Sequence, residues 1–216
     1  MTIFERTGVD LGRAPPAPIG LEEGPVSLAE LNLVIAASPP FVTGSLKAVL
    51  GEGPVGAPIA LVGEQPGDRE DIEGRPFVGP AGQVLDKALE QAGIDRRTCY
   101  LTNAVKHFKF VERGRRRLHQ KPSTDEIKHY RWWLWKELEL VAPRLVVTLG
   151  ATALQGVTGK PMSIMRLRGR QSADGLDLYV TVHPSYILRL PSTEDRERAF
   201  GAFVADLRQV HAIVAG

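Results

Sequence analysis

The sequence predicts an α/β fold, a single-domain three-layer α/β/α sandwich around a central four-stranded, mainly parallel sheet. Three observations predict it. Four short runs, Ile59–Val62, Tyr100–Val105, Leu145–Leu149 and Leu178–Val182, have the length and apolar character of buried strands. Segments with apolar residues at helical spacing lie between them, so each strand–helix–strand passage reads as a parallel crossover. There is no internal repeat and no second run of core residues, and 216 residues fit one domain.

In chain order, residues 1–26 hold Pro15, Pro16, Pro18 and Pro25 among several glycines with little periodicity, and are expected to form a loosely ordered arm. Residues 27–216 form the domain. Ser27-Leu-Ala-Glu30 has the form of a capping box and starts a helix towards Ala37, which Ser38-Pro39-Pro40 stops. A glycine-rich connection, Gly51–Ala57, leads into the first strand. After it, Val84, Leu85, Ala88, Leu89 and Ala92 mark a helix over about 80–92 that ends at Gly93, and the strand at 100–105 follows. Residues 106–122 are rich in Arg, Lys and His, too polar for a core strand and too broken for a helix, and are expected to form a basic loop. Ser123-Thr-Asp-Glu126 caps a helix carrying Trp132, Trp133, Leu134, Leu138 and Val141. The strand at 145–149 runs into Gly150 and a short helix of small residues. The strand at 178–182 delivers His183, and a last helix from about Ser192 buries Phe200, Phe203, Val204 and Leu207.

Composition narrows the function classes. With 43% hydrophobic and 24% charged residues this is an ordinary globular chain. No run approaches the roughly 20 apolar residues that span a bilayer, and the amino terminus lacks the basic and apolar segments of a signal peptide. A cytoplasmic location and no membrane partner are expected, with a monomer as the simplest state. Cys99 is the sole cysteine, which rules out an internal disulfide and a set of thiolate ligands from one chain. The net charge is only +2, so nucleic-acid binding must rest on local patches.

Open α/β sheets place their chemistry outside the carboxyl ends of the strands. Four such ends here carry polar residues of unusual kind. Gly63-Glu-Gln-Pro-Gly-Asp68 supplies two carboxylates, Glu64 and Asp68, and an amide at Gln65. The following loop holds Phe77 between Gly/Pro turns. Asn103 sits near the end of its strand, the basic segment with Arg115, Arg116 and Arg117 follows, and His183 leaves the last strand. Each has a plainer reading: turn chemistry and helix-end charge for the carboxylates, a core ring for Phe77, a satisfied strand end for Asn103, a solvated surface for the arginines, a braced turn for His183. Their convergence on one sheet edge favours a site.

These residues carry a family resemblance. Gly63-Glu-Gln-Pro-Gly-Asp68, Pro76-Phe-Val-Gly-Pro-Ala-Gly82, Thr102-Asn-Ala-Val-Lys-His107 and His183-Pro-Ser185 resemble the successive motifs of the uracil-DNA glycosylase superfamily, nearest to family 4. Arg115-Arg-Arg-Leu-His119 is similar to the loop of its UdgX branch, usually Lys-Arg-Arg-Ile-His. The likeness runs from about residue 59 to the C-terminus.

The resemblance implies uracil-containing DNA, single-stranded or duplex, as the partner. A flipped uracil would stack on Phe77, with its edge read by Asn103, and its O2 would receive a hydrogen bond from His183. Gln65 would bind uracil through backbone donors near it. Glu64 would face the sugar cation, and Asp68 would fix the loop or position water. Arg115, Arg116 and Arg117 would hold phosphates, and Ser185, Tyr186 and Arg189 would belong to a loop pressed into the DNA. His119 would attack C1′ and leave the DNA joined to the protein, a single-turnover trap.

Family 4 and UdgX-type proteins carry a four-iron four-sulfur cluster held mainly by cysteines. Here Ala36-Ala-Ser-Pro-Pro-Phe41, His107 and Tyr130 stand at the ligand positions, so no cluster, no other cofactor and no metal are expected, with Phe41, Tyr130 and the tryptophans packing in its place. Two further readings stay open: a turnover glycosylase that releases uracil and abasic DNA, and a catalytically silent binder of uracil-containing or single-stranded DNA. A nucleotide-phosphate enzyme is disfavoured, because the Gly63 loop lacks both the Lys-Ser/Thr of a P-loop and the glycine spacing of a dinucleotide fold.

Overall fold

The structure, a computed structural model, describes residues 15–17, 24–173 and 176–216. Most of the expected arm, 1–14 and 18–23, lies outside the described residues.

The main sheet contains the four expected strands, β2 (Ile59–Gly63), β3 (Cys99–Asn103), β6 (Leu145–Leu149) and β8 (Leu176–Thr181), all mutually parallel where they pair. It has five strands rather than four, in the order β3-β2-β6-β8-β7, because β7 (Gly169–Ala173) pairs antiparallel with β8 at the edge. Gly-Arg-Gln-Ser-Ala has no apolar alternation; an edge strand needs only one hydrogen-bonding neighbour and little burial, so composition does not mark it.

The alternation within β2 shows both faces covered. Ile59 and Leu61 join Leu145, Val147 and Leu149 against α3 (Pro80–Ala92) and α8 (Thr193–Ala215), with Leu85, Leu89, Phe203 and Leu207 in the same cluster. Ala60 and Val62 point the other way, with Val146, Leu178 and Val180, against α4 (Thr124–Val141) and α5 (Ala151–Thr158) through Leu134, Leu138, Leu154 and Val157. This is the three-layer sandwich, its strands apolar throughout because neither face meets water.

The helix ends follow their capping residues. Ser123 Oγ accepts the Glu126 N–H at 3.2 Å while Glu126 accepts the Ser123 N–H at 2.6 Å, starting α4. α1 (Leu28–Ala37) is capped by Ser27, although Glu30 reaches back to the Val26 N–H at 2.9 Å, one residue earlier than a capping box requires. Gly93, at φ +77°, closes α3.

The basic segment is not a loop. His107–Arg113 (β4) and Arg116–His119 (β5) form a hairpin, and β1 (Gly44–Ala48) pairs with β4 to complete a separate three-stranded antiparallel sheet. Its two-residue turn is Gly114-Arg115, with positive φ at Gly114 alone, the pattern of a type II′ turn. Two exposed faces near the tip leave no apolar alternation by which sequence could reveal the strands.

The remaining helices among the described residues are short: α2 (Asp68–Glu73), α6 (Ile164–Leu167), α7 (Pro184–Arg189) and a 3-10 turn at Arg96–Thr98. The segment 186–189, expected as a loop, is therefore helical. Among the described residues no helix is long and apolar enough to cross a membrane.

Candidate active site

The site begins with a glycine. Parallel pairing sets Gly63 at the end of β2 beside Asn103 at the end of β3. A Cβ on Gly63 would lie 2.3 Å from Asn103 Oδ1 and 2.6 Å from Phe77 Cζ, so the missing side chain is what lets the amide and the ring converge. Phe77 is 5% exposed and holds φ +55°, a left-handed conformation that costs a non-glycine residue on the order of 1 kcal/mol. Its backbone is fixed by Arg96, whose guanidinium donates to the Pro76 and Phe77 carbonyls at 3.1 and 3.4 Å and pairs with Asp86. Gly82 seals the turn, since a Cβ there would meet the Phe77 carbonyl oxygen at 1.9 Å. Asn103 is 4% exposed, and its side-chain amide makes no hydrogen bond among the described residues.

His183 closes the other side, its ring 6.4 Å from that of Phe77 at an interplanar angle of 29°. The Ser185 N–H points at His183 Nδ1 at 3.2 Å and the Ser185 hydroxyl donates to the same atom at 2.7 Å. A backbone N–H can only donate, so Nδ1 is an acceptor and the proton of the neutral ring belongs on Nε2. Burial pulls the His183 pKa down to about 4, helped by Arg189 and His119 and opposed by Glu64, so the ring is neutral near pH 7. Ser185 thus braces His183.

Glu64 leaves the tip of β2 half-buried. Thr152, on α5, donates to its Oε2 at 2.6 Å, and His119 Nε2 lies 3.3 Å from its Oε1. Burial raises the carboxyl pKa, but the hydrogen bonds from His119 and Thr152 and the nearby His119 and His183 outweigh it, and the net value lies below the ordinary one. Sequence reasoning missed Thr152. Its only signal is that it follows Gly150, which at φ +93° ends a core strand at the same sheet edge.

His119 sits at the end of β5, 48% exposed, its ring 6.1 Å from that of Phe108. Gln65 holds that end of the hairpin. Its Nε2 donates to the carbonyls of Gln120 at 3.0 Å and Lys109 at 3.3 Å, and its Oε1 accepts the Lys109 N–H at 3.2 Å. The Gln65 side chain is thus engaged in fixing the hairpin, and the role expected near this residue is one for backbone donors.

Arg117 and Asp68 likewise turn towards each other. Arg117 donates to Asp68 Oδ1 at 2.6 Å and to Asp71 Oδ2 at 2.5 Å, with its guanidinium over the rings of Phe108 and Phe110. This fastens β5 to α2, with Asp68 Oδ1 engaged and the Asp68 side chain still 52% exposed. Arg115 and Arg116, at the hairpin tip, are exposed, as are Tyr186, 46% exposed, and Arg189 on α7.

The ligand set of an iron-sulfur cluster does not fit the chain. Cys99 is buried in β3, its thiol pushed up to about 11 by burial, and among the described residues no three His, Cys, Asp or Glu side chains gather as a metal site. Where the cluster positions fall, the Tyr130 hydroxyl accepts the Phe41 N–H at 2.8 Å and shares a hydrogen bond of 2.9 Å with His107 Nδ1, and the Phe41 ring stacks on His129 at 4.1 Å. Trp132 and Trp133 join Tyr130, Leu31 and Ile35 in the adjoining apolar cluster.

Comparison with known proteins agrees with this layout. The family profile described as "Uracil DNA glycosylase superfamily" matches residues 50–208. A type-4 uracil-DNA glycosylase of Thermotoga maritima is 38% identical over 160 residues, covering 73% of this chain and 80% of the relative. A type-4 uracil-DNA glycosylase of Pyrobaculum aerophilum is 33% identical over 154 residues, 67% of this chain and 75% of the relative. A type-5 uracil-DNA glycosylase of the same organism is 31% identical over 154 residues, 62% and 63% of the two chains. With its profile match spanning most of the chain and its site residues gathered at the ends of the parallel strands, this protein belongs to the uracil-DNA glycosylase superfamily.

Proposed function

We propose that the chain excises uracil from DNA and is left covalently joined to C1′ of the resulting abasic sugar through His119, without an iron-sulfur cluster. The observation that carries this reading is the 3.3 Å approach of His119 Nε2 to Glu64 Oε1 beside the grouping of Phe77, Asn103 and His183.

A uracil turned out of the strand stacks on Phe77. Asn103, its amide unengaged among the described residues, offers a donor to O4 and an acceptor to N3–H, a pattern that the 4-amino group of cytosine mismatches. His183 Nε2–H and the Gln65 backbone N–H donate towards O2, where negative charge gathers as the glycosidic bond breaks. The bonding pair departs with the uracil, leaving a sugar oxocarbenium ion that the Glu64 carboxylate stabilises. A ring nitrogen of His119 supplies the electron pair that closes on C1′, and the imidazolium so formed loses its remaining ring proton towards Glu64. Water, the usual acceptor of this cation, is displaced by a nucleophile already in place. Arg115, Arg116 and Arg189 serve the phosphate backbone. All of these residues come from one chain, so a monomer suffices.

The test is to mix the protein with a uracil-containing single-stranded oligonucleotide and run it on a denaturing gel after boiling in SDS, with a thymine control. A uracil-dependent band at the summed mass is expected. Free uracil without that band would mean a turnover glycosylase, and neither product a silent binder.

A further inference from the structure

We propose that Lys106, held by Glu137, is a positioning residue that fixes Asn103 for reading the flipped base, a role that rests on the uracil-excision reading of the site. Lys106 and Glu137 are both 0% exposed, an ammonium and a carboxylate in the interior 2.5 Å apart. Such a pair is weak as a source of stability, because desolvating two ions offsets most of their attraction. Its geometry points to another use.

Lys106 Nζ has three partners: Glu137 Oε2, Thr102 Oγ1 at 2.8 Å and the Asn103 carbonyl at 2.8 Å. Glu137 in turn accepts from Thr102 Oγ1 at 2.9 Å and from the Tyr100 hydroxyl at 3.2 Å. Every donor of the ammonium is therefore used, and one of them grips the peptide that carries the base-reading side chain. On the far side of that peptide, the Ala104 N–H donates to the Gly63 carbonyl and the Val105 N–H to the Glu64 carbonyl, both at 3.0 Å. The Asn103–Ala104 peptide is thus held through Lys106, anchored on Glu137 of α4, and through the Gly63 carbonyl at the end of β2, while the Glu64 carbonyl holds the next peptide. Among the described residues the Asn103 amide makes no hydrogen bond, so its direction follows the backbone beneath it. A tilt of that peptide would swing the amide, and a displacement of about 1 Å at a reacting geometry costs on the order of 100-fold in rate.

The experiment uses the double substitution Lys106→Met with Glu137→Met, since replacing a buried ion pair by apolar side chains of similar size is often neutral or stabilising. The thermal midpoint and the affinity for a thymine-containing oligonucleotide are expected to match the unsubstituted protein, while uracil excision at saturating DNA falls at least 10-fold. A folded double variant that excises uracil at the unsubstituted rate would overturn the proposal. If the double variant does not fold, Glu137→Gln is measured in the same way. It keeps the shape and removes the anion that orients Lys106; a smaller fall with unchanged thymine-DNA affinity is expected, and an undiminished rate would overturn the proposal. Absence of any uracil release by the unsubstituted protein would strike the function itself, which separates the two failures.

Discussion

His119 Nε2 lies 3.3 Å from Glu64 Oε1, with the other carboxylate oxygen of Glu64 taken by Thr152 at 2.6 Å. The carboxylate therefore has one oxygen anchored to α5 and one given to the hairpin histidine. His119→Ser is expected to abolish the covalent product and release free uracil with turnover, because the smaller side chain admits water. Glu64→Gln should slow uracil loss by 100-fold or more, within the range of a missing acid–base or electrostatic partner. Single-turnover assays of released uracil and of gel-shifted adduct distinguish the two.

Gly63→Ala tests the pocket without touching any charge. Its Cβ would enter the space of Asn103 Oδ1 and Phe77 Cζ, so both must move. Excision should fall at least 100-fold while binding to thymine-containing DNA is retained, and circular dichroism should report an intact fold.

The hairpin arginines should separate into two kinds. Arg115→Ser with Arg116→Ser removes exposed cations and is expected to weaken binding to all sequences and flatten the salt dependence by about one log unit per lost phosphate contact. Arg117→Ser and Gln65→Ala instead cut the ties of the hairpin to α2 and to the Glu64 loop. They should reduce the yield of adduct relative to released uracil, with a smaller change in the salt slope.

Stability should decline on mild acidification. Burial holds both His107 and His183 down to about 4, against an ordinary histidine value of 6.5. Between those values the unfolded chain binds protons that the folded chain refuses, so stability falls as pH drops from 6.5 towards 4. For the fully enclosed His107 the loss between pH 7 and pH 5 is about 2 kcal/mol, or about 4–8 °C in thermal midpoint. Glu64, with its pKa lowered, loses its contribution only at more acidic pH. His107→Gln should remove its share of this slope in a pH series of melting curves.

Much of this was legible in the sequence, for physical reasons that also mark where legibility ends. Ile59–Val62 and Leu145–Leu149 are apolar throughout because helices cover both faces, and that pattern survives any tertiary context. Asn103 and His183 stand out in the sequence as polar residues at the ends of such runs. β7 and the β4–β5 hairpin were not, since their strands gain pairing without continuous burial. The roles of Asp68, Arg117 and Gln65 depended on a hairpin that brings residues about 50 positions apart into contact, which no local pattern encodes. Thr152 was hidden for the same reason.

The most direct measurement is to digest the boiled reaction of protein and uracil-containing oligonucleotide with protease and nuclease, and to locate the remnant by mass spectrometry. The account predicts a deoxyribose phosphate remnant on the peptide containing His119, fragmenting to that residue, and its loss in His119→Ser. A remnant on another residue, or free uracil with no modified peptide, would contradict it.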